Sequence, residues 1–295
     1  MAGVSIIDAH VHLYPPEVNA DPAGWAATHA EPRWAALCTR RRRDGRPVQG
    51  FPSVDGLLRE LDAAGIARAV LLGWYWENEL TCAEQNRFYA ACVRAHPDRL
   101  AAFASVQPTA GGAAALQEVW RAHGEGLIGL GELSPHAQGF AVDTPAWVEV
   151  LELAAELQLP VNLHVTDPAS RPFPGWVGTP LEDFSRLARE HPGVTFILAH
   201  WGGGLPVADL PNVYVDTAAS PLLYGEAAWE RLGREVPVGR VLFGSDFPLV
   251  LYPRTENKAD GGLKTFVAEA MRNVPTVAAR AALLSGNARR LFGWG

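Results

Sequence analysis

Two histidines near the N-terminus have the spacing of a metal-binding pair. His10 and His12 lie in the stretch Ser5–His12, SIIDAHVH, which is typical of a strand. Side chains two residues apart on a strand point to the same side, so both imidazoles can reach one ion. Imidazole is the commonest ligand for zinc and similar metals. A His-x-His pair also arises by chance, so the pair alone does not separate a metal site from two structural histidines.

Three later hydrophobic segments also end in a histidine or an aspartate. They are Val161–Leu163 before His164, Phe196–Ala199 before His200, and Val241–Ser245 before Asp246. One such residue could be a core group bonded to the backbone, but four strand ends of this kind are difficult to explain by packing. In one barrel these side chains would converge above the axis, where catalytic groups lie.

The elements that must position these residues are short apolar segments alternating with amphipathic ones. Continuous apolar runs are typical of parallel strands buried on both faces. Eight strands are predicted, at Val4–Asp8, Arg68–Gly73, Leu100–Val106, Leu127–Leu133, Pro160–Val165, Val194–Ala199, Val213–Asp216 and Val241–Ser245. Helices are predicted between them: Ser53 and Gly65 bound one, Thr144 caps another, and Thr179 opens a capping box with Glu182.

This alternation predicts an α/β fold, a (β/α)₈ TIM barrel, as a single domain over residues 1–295. The alternative is an open, doubly wound sheet. The barrel is favoured because polar residues gather at strand C-terminal ends and no Gly-x-Gly-x-x-Gly follows the first strand. The stretch Tyr14–Pro52 reads as a long loop after the first strand, and we expect it on the active-site face.

Composition narrows the class of protein. The chain has 295 residues, 48% of them hydrophobic, and a formal charge of −7, which favours a soluble protein and argues against nucleic-acid binding. No apolar run approaches the roughly 20 residues that span a membrane. The N-terminus lacks a signal peptide's basic region, and Cys38, Cys82 and Cys92 suggest no disulfide framework. A cytoplasmic location is therefore predicted.

One basic run, Arg40–Arg43, interrupts the acidic composition. It is either a solvated loop or a patch for an anionic substrate or partner.

The strand-end motifs resemble the amidohydrolase superfamily, specifically its amidohydrolase-2 branch, which includes aminocarboxymuconate semialdehyde decarboxylase. In chain order they are IDAHVH at 7–12, LPVNLH at 159–164, LAHWGGGLP at 198–206 and LFGSDFP at 242–248. The resemblance extends from Ile7 to Phe292. It implies a metal-dependent barrel enzyme and leaves the substrate open.

The resemblance also implies roles for the strand-end residues. His10, His12, His164 and Asp246 are expected to hold one divalent ion, typically zinc, with water in an open position. His200 is expected to orient, or exchange protons with, that water or the substrate, so Asp246 and His200 are the expected catalytic residues. Zinc lowers the pKa of bound water to about 7, which provides hydroxide at neutral pH.

Glu132, at the end of the fourth strand, leaves a second arrangement open. Some two-metal relatives carry a bridging glutamate on this strand. If Glu132 points inward, a two-metal site with His164 and His200 becomes an alternative to the single ion. The absence of a lysine on the fourth or fifth strand argues against a carbamylated-lysine bridge.

Four other residues are candidates for substrate binding. Trp74 follows the second strand and Trp176 lies in the loop after the fifth, and such aromatic residues either line ligand pockets or pack loops. Arg171 and Arg254 follow the fifth and eighth strands. Either could bind a substrate carboxylate bidentately, or be an ordinary surface arginine.

Two reactions fit these residues. The first expectation is a metal-dependent hydrolase in which activated water attacks a lactone, ester or amide. The alternative is non-oxidative decarboxylation of an unsaturated or aromatic acid on the same metal site, and the HWGGGLP stretch around His200 resembles the decarboxylases. A non-catalytic barrel is disfavoured, because structural zinc sites are usually closed cages. The expected partners are a small-molecule substrate, such as a carboxylate, and a second copy in a homodimer, by analogy with relatives.

Overall fold

Eight parallel strands form the centre of the fold in a computed structural model that describes residues 5–110, 113–254 and 262–294. They are β1 (Ile6–Val11), β2 (Ile66–Leu71), β3 (Leu100–Ala102), β4 (Leu130–Leu133), β5 (Val161–Leu163), β6 (Phe196–Leu198), β7 (Val213–Asp216) and β8 (Val241–Leu242). Consecutive strands pair in parallel within β1–β3 and within β4–β8. All eight predicted strands are present, although Val4 of the first prediction lies outside the described residues.

Backbone hydrogen bonds join the two groups of strands at both edges. Ala104 connects β3 to β4, because its N–H donates to Gly129 O and its carbonyl accepts from Gly131 N, each at 2.8 Å. Between β8 and β1, Ala9 N donates to Phe243 O at 2.8 Å. Parallel bridges form at the same two junctions. The strands therefore close into a barrel, and the predicted (β/α)₈ architecture is confirmed.

Fourteen α-helices surround the barrel in the described ranges. They are α1 (Pro16–Ala20), α2 (Pro22–Thr28), α3 (Pro32–Cys38), α4 (Val54–Ala64), α5 (Glu79–Ala95), α6 (Ala114–Gly124), α7 (Pro135–Gln138), α8 (Pro145–Glu156), α9 (Leu181–Glu190), α10 (Ala199–Gly202), α11 (Ser220–Leu223), α12 (Leu263–Asn273), α13 (Val277–Ala281) and α14 (Asn287–Phe292). None of the helices in these ranges is long and apolar enough to cross a membrane.

Some of the predicted helix caps are present at the observed helix ends and others are not. At α4, the Ser53 side chain accepts a hydrogen bond from Gly56 N, and Gly65 ends the helix with a φ of 70°. Helix α8 starts at Pro145 as expected, but the Thr144 side chain makes no capping bond. The capping box predicted at Thr179 is wrong. Helix α9 begins at Leu181, and no side chain caps its N-terminus. The buried Thr179 hydroxyl accepts a hydrogen bond from Thr166 N at 2.7 Å instead of from the first turn of the helix.

The stretch Tyr14–Pro52 is more ordered than its sequence suggests, since it contains α1, α2 and α3. Each begins with proline, whose fixed φ suits a first helical position. An aromatic cluster forms beneath them, where Trp34 contacts Tyr14, Trp25 and Trp76 at ring separations of 5.2–5.7 Å. This packing covers the segment that follows β2.

The strands have two apolar faces. Ile7, Val70, Phe103, Ile197 and Leu242 belong to one buried cluster. Their neighbours along the strands belong to the larger cluster that also contains helix residues. Because side chains alternate along a strand, one face fills the barrel and the other packs against the helices.

Candidate metal centre and active site

Three ligand atoms converge at the C-terminal ends of β1 and β8. His10 and His12 are buried, and their Nε2 atoms lie 3.2 Å apart. Asp246 Oδ1 lies 3.4 Å from His12 Nε2 and 3.8 Å from His10 Nε2. The strand period predicts this convergence for the two histidines, and barrel closure brings Asp246 to them.

The second nitrogen of each imidazole is occupied by a hydrogen-bond partner. His10 Nδ1 lies 2.8 Å from Asp216 Oδ2, and His12 Nδ1 lies 3.0 Å from the Leu72 carbonyl oxygen. These partners orient both rings so that Nε2 faces Asp246. Such outer contacts are typical of metal-binding histidines.

A second group of ligand atoms comes from β4, β5 and β6. His164 Nδ1 lies 3.0 Å from Glu132 Oε1, and His200 Nε2 lies 3.5 Å from the same oxygen. The two histidine nitrogens are 3.3 Å apart. Glu132, His164 and His200 therefore form a compact group that could hold an ion.

Glu132 connects the two groups. Its Oε1 faces His164 and His200, while its Oε2 lies 3.5 Å from His12 Nε2 and 3.9 Å from His10 Nε2. The glutamate thus points inward, which is the condition for the two-metal alternative. The resemblance implied that His164 shares an ion with His10 and His12, whereas here His164 contacts Glu132 and His200.

The spacing of the first group fits a divalent ion. Zinc binds nitrogen and oxygen ligands at about 2.0–2.1 Å, so tetrahedral ligand atoms lie about 3.3 Å apart. The separations of 3.2, 3.4 and 3.8 Å among His10, His12 and Asp246 are close to that value. Two imidazoles and a carboxylate are also a donor set that zinc and similar metals use.

Electrostatics favour positive charge in this cluster. Burial lowers the pKa of His10, but Asp216, Glu132 and Asp246 together raise it to about 10. Burial opposes the charge on Glu132, yet the neighbouring histidines, led by His164, hold its pKa well below the usual range. Protons and a divalent cation therefore compete for the same buried positions.

His200 and Asp246 are held in an uncommon backbone conformation. Their φ values are 57° and 66°, in the left-handed region. The His200 N–H donates to Asp216 Oδ1 at 3.0 Å, and the Asp246 N–H donates to the His10 carbonyl at 2.9 Å. Left-handed backbone at residues other than glycine is concentrated at functional sites, and here it presents both side chains to one space.

Asp216 ends the seventh predicted strand, but it is not among the residues to which the sequence assigns a role. Besides His10, its buried carboxylate accepts hydrogen bonds from His200 N and Ala218 N at 3.0 Å and from Asn162 Nδ2 at 3.2 Å. Its position at the end of an apolar strand is the same signal that identified Asp246. The Asp216 carboxylate orients the His10 ring through Nδ1, the nitrogen that faces away from Asp246, and it fixes the backbone N–H of His200.

A cavity of about 150 Å³ opens above the cluster and is lined mainly by apolar side chains. Trp74 and Trp176 line it, as do Glu132, His164, His200 and Asp246. Arg171 and Arg254 do not line it and are exposed. The expectation that one of these two arginines binds a substrate carboxylate therefore finds no support, since their side chains extend into solvent. Arg40, from the basic run, does line the cavity.

Comparison with known proteins establishes the family. The family model described as amidohydrolase matches residues 7–294. The chain belongs to this amidohydrolase family. One relative of this amidohydrolase is a 6-methylsalicylic acid decarboxylase of Penicillium expansum, which is 26% identical over 301 residues, covering 82% of this chain and 84% of the relative.

Solved structures share the fold of this amidohydrolase. The 5-carboxyvanillate decarboxylase of Sphingomonas paucimobilis superposes with a TM-score of 0.74 at 16% identity, over 99% of both chains. The 2,6-dihydroxybenzoate decarboxylase of Rhizobium gives 0.67 at 19% identity, over 99% of both chains. A probable 2-pyrone-4,6-dicarboxylic acid hydrolase of Acinetobacter baumannii gives 0.62 at 16% identity, covering 98% of this chain and 100% of the other. At these identities the likeness concerns the fold.

Proposed function

We propose that this amidohydrolase is a metal-dependent decarboxylase of an aromatic carboxylic acid. The observation that carries the proposal is the cavity of about 150 Å³ whose apolar walls end at the histidine and carboxylate cluster. An engineered apolar cavity of about that volume binds benzene, so one substituted ring is the expected occupant. The 26% identical relative, named a 6-methylsalicylic acid decarboxylase, supports the same substrate class.

The reaction replaces a carboxylate by hydrogen on one ring carbon. A carbon–hydrogen bond forms with a proton, the bond to the carboxylate carbon breaks, and carbon dioxide leaves without net oxidation. His200 Nε2 and the Asp246 carboxylate, which both line the cavity, are the groups proposed to hold and deliver that proton. The apolar walls, including Trp74 and Val165, exclude water and favour conversion of a charged carboxylate into neutral carbon dioxide.

The metal proposed is one divalent ion, with zinc as the first candidate, at His10, His12 and Asp246. When bound, it would supply positive charge that orients and polarises an oxygen of the substrate. Glu132, His164 and His200 then act on the substrate side of the cluster. The competing arrangement places a second ion among these three residues, with Glu132 as the bridge.

Hydrolysis of a lactone, ester or amide, the first expectation from the sequence, is the second candidate. The same cluster could activate water for attack on a carbonyl. The relatives named above support decarboxylation better, because most of them are named decarboxylases. A non-catalytic barrel is disfavoured, since four residues of the cluster, Glu132, His164, His200 and Asp246, line a cavity. The homodimer and the cytoplasmic location stay predictions.

A substrate screen tests the proposal. Zinc-loaded protein is incubated with salicylate, 6-methylsalicylate and 2,6-dihydroxybenzoate, and in parallel with aryl lactones, esters and amides. We expect carbon dioxide and the matching phenol in equal amounts, and in D₂O one deuterium at the carbon that lost its carboxylate. His200→Gln should slow this reaction, whereas exposed His123→Ala should not. Lactone or ester cleavage without decarboxylation of any acid would replace the proposal with hydrolysis.

A further inference from the structure

Tyr75 brings a phenol hydroxyl into the wall of the cavity. The residue lines the cavity and is only 7% exposed. Among residues 5–110, 113–254 and 262–294, its hydroxyl has no hydrogen-bond partner. A buried donor that stays unpaired is costly to a fold. An oxygen atom of a bound ligand would remove that cost, so this hydroxyl is a contact point for the occupant of the cavity.

The ring of Tyr75 packs against two aromatic neighbours. It stacks on the Trp74 indole with 4.4 Å between the ring centroids and an interplanar angle of 26°. The centroid of the His164 imidazole lies 5.1 Å from that of the Tyr75 ring, and both neighbours line the same cavity. A tyrosine has only two side-chain torsions, so this packing holds the hydroxyl in one place.

The groups near the hydroxyl indicate which kind of oxygen it can bind. A tyrosine is protonated at neutral pH, and its O–H is therefore a donor. Burial raises the pKa of this phenol well above its ordinary range, and the neighbouring Glu132, Cys38 and Asp246 raise it further. Because like charges repel, the two carboxylates disfavour a second anionic group of the ligand beside Tyr75. A neutral hydroxyl carries no such penalty.

We propose that Tyr75 binds a ring hydroxyl of the substrate and so selects hydroxylated aromatic acids over unsubstituted or alkylated ones. This inference deepens the proposed function and rests on it for an aromatic acid as the occupant of the cavity. The Tyr75 O–H donates to the oxygen of the substrate hydroxyl, and this bond sets the rotation of the ring. With the rotation set, one ring carbon is presented to the metal cluster.

A ring hydroxyl also suits the proposed reaction. Addition of a proton to the carbon that bears the carboxylate places positive charge on the ring carbons ortho and para to it. An oxygen at one of these positions takes up that charge, and the ring regains its aromaticity when carbon dioxide leaves. We therefore expect Tyr75 to recognise a hydroxyl that is ortho or para to the carboxylate.

Equilibrium binding tests this inference. Calorimetry compares each hydroxybenzoate isomer with the methylbenzoate of the same substitution, because a methyl group has nearly the same size as a hydroxyl but forms no hydrogen bond. Each titration uses zinc-loaded protein that carries His200→Gln, so that decarboxylation does not consume the ligand. We expect the ortho or para hydroxyl to be preferred over methyl, and the addition of Tyr75→Phe to reduce this preference about tenfold. A contribution of the metal to the preference is the same in both proteins and cancels.

Tyr252→Phe is the matched control, since the Tyr252 hydroxyl donates to Glu269 Oε2 at 2.7 Å. Its loss should leave the hydroxyl preference unchanged. The ligand-free proteins provide a second measurement, because Tyr75→Phe removes a donor that is unpaired in the described ranges and keeps the ring. The Tm of Tyr75→Phe should therefore equal or exceed that of the wild type, whereas Tyr252→Phe should lower it. A lower Tm in Tyr75→Phe would show that the protein itself binds this hydroxyl, and would overturn the inference.

Two binding results would also overturn the inference. They are equal affinity for the hydroxy and methyl acids at every position, and a hydroxyl preference that survives in Tyr75→Phe. The two proposals fail separately. A hydroxyl preference lost in Tyr75→Phe, without decarboxylation of any acid by the wild type, would contradict only the proposed reaction. Decarboxylation of aromatic acids, with no hydroxyl preference in binding, would contradict only the role of Tyr75.

Discussion

His10 Nδ1 lies 2.8 Å from Asp216 Oδ2, although 206 residues separate the two in the chain. Both side chains are fully buried. The contact leaves His10 Nε2 directed at His12 and Asp246, and it places a negative charge behind the imidazole. A carboxylate in this position orients a metal-binding histidine and increases its basicity. The geometry of the candidate metal centre therefore depends on a residue that does not itself reach the ion.

Replacement of Asp216 by asparagine should weaken metal binding. The asparagine amide would keep one oxygen for backbone donors but lose the charge that acts on His10, and changes of this kind cost about 10–100-fold in metal affinity. Competition with a chelator measures the change in the zinc dissociation constant. Asp209→Asn, at an exposed position, is the matched control. Unchanged affinity in Asp216→Asn would show that His10 does not need this carboxylate.

Removal of the His12 imidazole should remove the metal and the activity together. His12 Nε2 lies within 3.5 Å of candidate ligand atoms of both His10 and Asp246, so His12→Ala leaves two ligands for the first ion. Elemental analysis should find about one zinc per wild-type chain and well below one zinc per chain in His12→Ala. The surface variant His123→Ala should have the same zinc content as the wild type. Full activity in metal-depleted His12→Ala would refute the metal mechanism.

The same elemental measurement decides the role of Glu132. Two ions per wild-type chain, falling to one in Glu132→Gln, would identify Glu132 as a bridge between the two ligand groups. One ion in both proteins, with activity reduced in the variant, would place Glu132 beside the substrate. Its contacts with His12 and His164, at 3.5 and 3.0 Å, allow either outcome.

The buried Glu31 should give the protein a pH-dependent stability. Its carboxylate accepts hydrogen bonds from Glu77 N at 2.8 Å and Asn78 N at 3.0 Å, yet burial raises its pKa. The folded chain therefore holds this proton more tightly than the unfolded chain, and the contribution is lost as pH rises above the ordinary glutamate range of about 4.3. The difference in unfolding free energy between wild type and Glu31→Gln should decrease as pH rises.

Urea unfolding from pH 4 to pH 7 measures that difference. Glu149→Gln, at an exposed position of α8, should show no comparable trend. A difference that stays constant or increases with pH for Glu31→Gln would contradict the assigned cause.

Two glycines at helix ends should respond in opposite directions to alanine. Gly65 has a φ of 70°, in the left-handed region, and a side chain there costs about 1 kcal/mol. Gly124 is the last residue of α6, has no positive φ, and a Cβ added to it would have no neighbouring atom within 4 Å. Gly124→Ala should be neutral or stabilising by about 0.5–1 kcal/mol. Urea unfolding compares them, and equal effects would refute the conformational explanation.

The strands and the helix caps differ in how well the local sequence pattern predicts them. The predicted strands overlap all eight observed ones, because a continuous apolar run has few other ways to be buried on both faces. Ser53 and Gly65 act as predicted because their roles depend on neighbours in the chain. Thr179 does not, since Thr166 N, thirteen residues away in the chain, binds its hydroxyl. A capping hydrogen bond within a short segment thus competes with hydrogen bonds to residues elsewhere in the fold, and the sequence does not reveal those partners.

The sequence by itself determined which residues reach the barrel mouth. His10, His12, His164, His200 and Asp246 each follow or end an apolar strand, and strand period and polarity are local properties. Only the tertiary structure decided which of them meet. The pairing of His164 with Glu132, the contact of Asp216 with His10, and the entry of Arg40 and Gln49 into the cavity all join segments distant in the chain. Such distances are set by barrel closure and by the packing of the segment after β1, which depend on every strand at once.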